Sequence, residues 1–127
     1  MSLAEKMYVT GAKQVPCVNL APDVDLGDII PWGVDLEKAR GFVQEGKSPA
    51  LFVFVENSAQ LEQLTADLAK LWQDGLAFWV FYPKKPHLGT DLGRDQTWKI
   101  MQQAGMKGTR QVGVDQLWSC LYFKPKG

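Results

Sequence analysis

The chain has 127 residues, 46% of them apolar, and its 14 Lys and Arg balance its 14 Asp and Glu. That suits one domain with a sizeable core that needs neither disulfides nor metals, and it is too apolar for a disordered chain. Zero net charge argues against a nucleic-acid binder, which carries a basic excess or stripe. No apolar run nears the roughly 20 residues of a membrane span, and the opening Met1-Ser-Leu-Ala-Glu-Lys-Met lacks the apolar stretch of a secretory signal.

In chain order, 15–20 is a short strand whose Pro16 favours an early or edge position. Residues 21–33, with Pro22, Gly27 and Pro31, read as loop. A helix over 35–45 turns Leu36, Ala39 and Val43 inward and stops at Gly46. The runs Ala50-Leu-Phe-Val-Phe-Val-Glu56 and Leu76-Ala-Phe-Trp-Val-Phe-Tyr82 are β-branched and aromatic without polar alternation. Such runs mark strands buried on both faces, parallel and covered by helices. Between them, Leu61, Leu64, Leu68, Leu71 and Trp72 recur at helical spacing over 58–74, with Asn57 or Ser58 as cap and Gly75 as stop. This is a βαβ unit with a right-handed crossover. A third helix spans 94–104 with Trp98 and Met101 inward. The strands 109–114 and 119–124 are too close for a crossover helix and must be antiparallel.

The expected fold is therefore α/β: a single domain over 1–127, a three-layer Rossmann-like sandwich with a mostly parallel five-stranded sheet ending in an antiparallel hairpin. The order β-α-β-α-β-α-β-β resembles the C-terminal half of the class I methyltransferase fold, which also ends with an antiparallel strand beside the sheet's edge. Methyl transfer itself is not expected. The first strand leads into Asn19-Leu-Ala-Pro-Asp23, without the G-x-G that lets a backbone approach a cofactor closely.

The segment Phe78-Trp-Val-Phe-Tyr-Pro-Lys-Lys85, followed by Thr90-Asp91-Leu92, resembles a family of small bacterial proteins classed as a domain of unknown function. The family pattern is a tryptophan-bearing strand ending in Pro-Lys-Lys with a Thr-Asp-Leu beyond it. Asn19-Leu-Ala-Pro-Asp23 is similar to the family's segment after the first strand, and Val114-Asp-Gln-Leu-Trp-Ser-Cys-Leu-Tyr-Phe123 to its closing segment. Leu3-Ala-Glu-Lys6 matches its N-terminal helix. The resemblance implies an α/β fold in a bacterial, cytoplasmic setting, and it brings no catalytic residues.

In open α/β sheets ligands bind beyond the carboxyl ends of the strands. The loop Pro83-Lys-Lys-Pro-His-Leu-Gly-Thr-Asp91 leaves such an end. Lys84 and Lys85 supply cationic donors, His87 is the one side chain that titrates near neutrality, and the next helix begins after Thr90 and Asp91. Together they suggest a phosphate or carboxylate site. The plainer alternative is solvated lysines and a helix start. Asn19, Asp23, Asp25, Glu56 and Asn57 lie beyond other strands and are candidates for the same crevice, where carboxylates serve acid–base chemistry or a cation. Trp32 and Trp118, near turns, can stack a planar ligand or a partner.

Cys17 and Cys120 belong to no metal-spaced cluster, and with one His in the chain a zinc site is not expected. Both read as reduced, buried thiols. No metal and no cofactor are expected. The reading is a non-catalytic or ligand-sensing module for a small anion, without nucleic-acid or membrane partners, as a monomer or small homo-oligomer. The alternatives are a small enzyme using the strand-end carboxylates and a protein-interaction module.

Overall fold

The computed structural model describes residues 1–125. In chain order the elements are α1 (Leu3–Lys6), β1 (Val15–Val18), β2 (Pro31–Gly33), α2 (Leu36–Gln44), β3 (Leu51–Phe54), α3 (Ser58–Gln73), β4 (Phe78–Pro83), α4 (Arg94–Gln103), β5 (Arg110–Gly113) and β6 (Trp118–Phe123). A single mixed sheet takes the order β2-β1-β3-β4-β6-β5. The strands β1 to β4 are parallel. The last strand, β6, runs antiparallel between β4 and β5.

The two apolar runs are adjacent parallel strands, with Phe52 opposite Trp79 and Val53 opposite Val80, and every residue of both is buried. The helix joining them starts at an Asn57 cap, whose side chain accepts from Gln60 N at 2.9 Å. It buries Leu61, Leu68 and Leu71 and ends before Gly75, whose φ of +82° suits glycine.

The sheet has six strands rather than the expected five, because Pro31-Trp-Gly33 in the presumed loop pairs with β1. So β1 is an inner strand despite Pro16. Val15 N donates to Ile30 O and Cys17 O accepts from Val34 N, both toward β2. Pro16 therefore turns toward β3, at a point before the β1–β3 pairs begin at Cys17. Its missing N–H breaks no ladder bond.

Two cores flank the sheet. On one face α2, α3 and α4 pack on Leu51, Val53, Phe78 and Val80. On the other, Phe52, Phe54, Trp79 and Phe81 are covered by Ala4, Met7, Val9, Leu26 and Ile29. These belong to α1, the segment after it and the loop that follows β1, so the long helices share one face.

Candidate functional site

The carboxyl ends of β1, β3 and β4 open onto one side, and β6, running the other way, begins there. Directly after β1 the chain turns through Asn19 at φ +57°, a left-handed conformation that Asn tolerates better than most residues. This sends residues 20–23 across the strand ends. A cleft of about 290 Å³ results, with Asn19, Asp23, Phe54, Glu56, Gln60, Leu88 and Trp118 in its walls. Phe54 and Trp118 meet edge to face at 5.4 Å and form its apolar floor. Gln60, in the first turn of α3, accepts from Glu56 N at 2.7 Å, tying the strand end to the helix.

Asp23 bridges the cleft's two sides. Its Oδ1 accepts from Trp118 Nε1 at 2.9 Å, and its Oδ2 lies 2.8 Å from His87 Nε2. The His87 ring stands edge-on to Trp118 at 5.8 Å. The indole N–H is the main influence holding the Asp23 carboxyl below the ordinary carboxylate range; partial desolvation opposes it and His87 adds to it. Glu56 is exposed, and its carboxylate has no partner among the described residues.

The remaining candidates point elsewhere. Lys84 Nζ donates to Asp115 O at 2.6 Å and so fastens the β5–β6 turn. The Asp115 carboxylate is itself engaged by Asp25 N, Leu117 N and Trp118 N. Lys85 is exposed. Thr90 is buried, and its hydroxyl accepts from Leu92 N at 3.1 Å within the loop. Asp91 accepts from the Ser58 amide at 2.8 Å and from the Ser58 hydroxyl. Ser58 holds its carboxyl below the usual range, and Lys85 contributes least. Asp91 therefore serves the start of α3, where negative charge is favoured, while α4 begins at Gly93 with no side-chain cap. Asp25 closes a local turn onto Gly27 N, and Asn57 is the α3 cap.

So Asn19, Asp23 and Glu56 share the cleft with His87 at its rim, and Lys84, Lys85, Thr90 and Asp91 are outside its lining. Sequence reasoning missed Phe54, Gln60 and Leu88; it named Trp118, which does lie directly after a turn, but that residue is 1% exposed at the head of β6. Leu88 carried a faint signal, as an apolar residue inside a Pro- and Gly-rich loop. It is half exposed at φ +56°. Trp32 packs on Phe42 with ring centroids 5.0 Å apart.

The lining thus combines carboxylates, neutral amides and aromatic walls and, among the described residues, contains no Lys or Arg. It can accept hydrogen bonds and offset a positive charge beside an apolar body. Among the described residues, no group of His, Cys, Asp and Glu is arranged to hold a metal ion. Among the described residues, no helix is long and apolar enough to cross a membrane. No protein-family model and no curated protein matches the chain.

Proposed function

We propose that the protein is a ligand-binding module whose carboxyl-edge cleft takes a small molecule with an apolar, planar body and a cationic or donor-rich head. The body lies against the half-exposed Leu88, with the buried Phe54 and Trp118 beneath it, and the head faces Glu56 and Asp23. The supporting observation is the lining itself, acidic and aromatic with no Lys or Arg among the described residues. An anion at this edge would depend on His87 and the exposed Lys85, because Lys84 is committed to Asp115 O. The fold supports a Rossmann-like reading in which one covering layer is α1 and loop in place of long helices.

Paired probes test the sign of the site. Tryptamine and indole-3-acetate share a ring system and differ in head charge. Calorimetry should show tryptamine binding, weakened at least tenfold by Glu56→Gln, and no uptake of indole-3-acetate. Phosphate or indole-3-acetate binding that is lost in Lys84→Ala/Lys85→Ala would reverse the assignment in favour of an anion site.

The Asp23–His87 contact favours a second reading, acid–base catalysis in the same cleft. The carboxylate 2.8 Å from Nε2 orients the ring and leaves Nδ1 as the nitrogen without a protein partner among the described residues. Turnover of any bound compound, lost in His87→Asn with binding retained, would establish it.

A further inference from the structure

A second pocket lies at the opposite, amino edge of the sheet. There Trp79 of β4, Tyr122 of β6 and Arg110 of β5 stand side by side, since Trp79 pairs with Tyr122 and Tyr122 with Arg110 across neighbouring strands. Trp79 and Tyr122 have ring centroids 4.7 Å apart. Tyr8 is laid over the row, 5.3 Å from Tyr122 and 5.4 Å from the Arg110 guanidinium. Two features hold it there. Trp79 Nε1 donates to Met7 O at 3.1 Å, pinning the segment after α1 to the sheet. Tyr8 itself takes φ +60°, a backbone state that bulky residues rarely adopt. Even so, its ring is 50% exposed.

Thr109 and Lys124 complete a pocket of about 340 Å³ with Tyr8, Arg110 and Tyr122. Its charge is the reverse of the cleft's. Both charged groups in its walls are cations, and neither has a carboxylate partner among the described residues. Arg110 presents a planar fork suited to phosphate oxygens, held over the Tyr8 ring, and the half-exposed Tyr8 offers an aromatic surface to a ligand's ring. Thr109 adds a hydroxyl donor.

We infer that this amino-edge pocket binds a nucleoside phosphate, its base packed against the half-exposed Tyr8 beside the tilted Tyr122 ring and its phosphate held by Arg110 and Lys124. The two halves of the pocket match the two halves of such a ligand. A bare phosphate leaves the aromatic face unused, and a nucleoside leaves the cations unused. The site is separate from the carboxyl-edge cleft and does not rest on the function proposed for it.

Adenosine 5′-monophosphate is the probe, with ribose 5-phosphate and adenosine as its halves and an eight-residue oligothymidylate as the polymer control. Titration calorimetry should show the monophosphate binding at least tenfold more tightly than either half. Arg110→Gln should weaken it at least tenfold, Lys124→Gln should weaken it less, and Glu56→Gln should leave it unchanged. Arg110 is exposed on an edge strand and its contact with the Tyr8 ring is a surface one, so its replacement should lower the melting temperature only slightly. Tyr8→Asn, which suits the left-handed backbone, should remove the advantage of the monophosphate over ribose 5-phosphate. No binding at millimolar concentration overturns the inference. So do equal affinities for the monophosphate and ribose 5-phosphate, binding indifferent to Arg110, or uptake of the oligonucleotide alone.

Discussion

Asp23 shows what a single residue does here. It joins the loop after β1 to the head of β6 and to His87, partners 95 and 64 residues away. Its carboxyl is held below the ordinary range, as are those of Asp28, mainly by the Ala4 amide, and Asp91, by Ser58. A carboxyl with a depressed folded-state pKa stabilises the fold above its unfolded value of about 3.9, and that contribution is lost as pH falls through the lower folded value. Stability should therefore decline below about pH 4, and Asp23→Asn should flatten that decline; urea midpoints between about pH 2.5 and 6 would show it, and an unchanged acid slope in the variant would count against the assignment. Trp79 matters for a different reason. It is fully buried, packed at a tilt against Tyr122 and bonded to Met7 O. Trp79→Ala should cost about 3–5 kcal/mol, more than any other tryptophan truncation, and a loss below about 1 kcal/mol in chemical denaturation would refute this. The buried strand placement of Trp79 was legible from its apolar neighbours. The fate of Lys84 was not. Adjacent lysines announce local charge, but the carbonyl that Lys84 meets belongs to a turn 31 residues on, and no local pattern encodes that.

At the scale of elements, the sequence was most readable where burial and periodicity agree. The α3 stripe and the runs that became β3 and β4 satisfy both, and the short gap before β6 requires an antiparallel partner. β2 escaped because it is three residues long and Pro31 and Gly33, both depleted in strands, flank its one strand-favouring residue, Trp32; it pairs alongside β1. The covering of the second face was equally hidden, since α1 is one turn long and the loop after β1 has no period. The caps of α3 can be tested directly. Asn57→Ala removes the acceptor for Gln60 N and should cost about 1 kcal/mol. Gly75→Ala meets no atom within 4 Å but holds φ at +82°, so its cost, also about 1 kcal/mol, should be one of backbone conformation alone. If Gly75→Asn, which tolerates that φ, loses as much as Gly75→Ala, the conformational account is wrong.

Across the whole molecule, the candidate site was half legible: topology points to the carboxyl edge, so Asn19, Asp23 and Glu56 could be named, while the sign of the site depends on where the lysine side chains end. The thiols report on the same sheet. Cys17 lies in β1 and Cys120 in β6, both free and both in the core beneath α1. With β3 and β4 between them, three interstrand steps of about 4.8 Å separate them, well beyond the Cα spacing of a disulfide. Burial pushes the Cys17 thiol up to about 12 and Cys120 well above its ordinary value. A thiol whose folded pKa is raised contributes full stability below the unfolded value of about 8.5 and loses it as pH climbs, because the unfolded chain releases its proton first. Between about pH 8.5 and 10 each thiol should therefore cost up to about 1.4 kcal/mol per pH unit. Tyr82 and Tyr122, also raised chiefly by burial, add the same sign of effect only above their ordinary value of 10. Guanidinium midpoints measured with reductant from about pH 7.5 to 10 should fall on the alkaline side for the native sequence, and Cys17→Ala/Cys120→Ala should flatten that limb while lowering stability at neutral pH through lost packing. Because both thiols sit in one core on one continuous sheet, they should react with a thiol reagent at the same denaturant concentration. Early reaction of Cys120 alone would mean that the β5–β6 hairpin opens separately from the parallel strands.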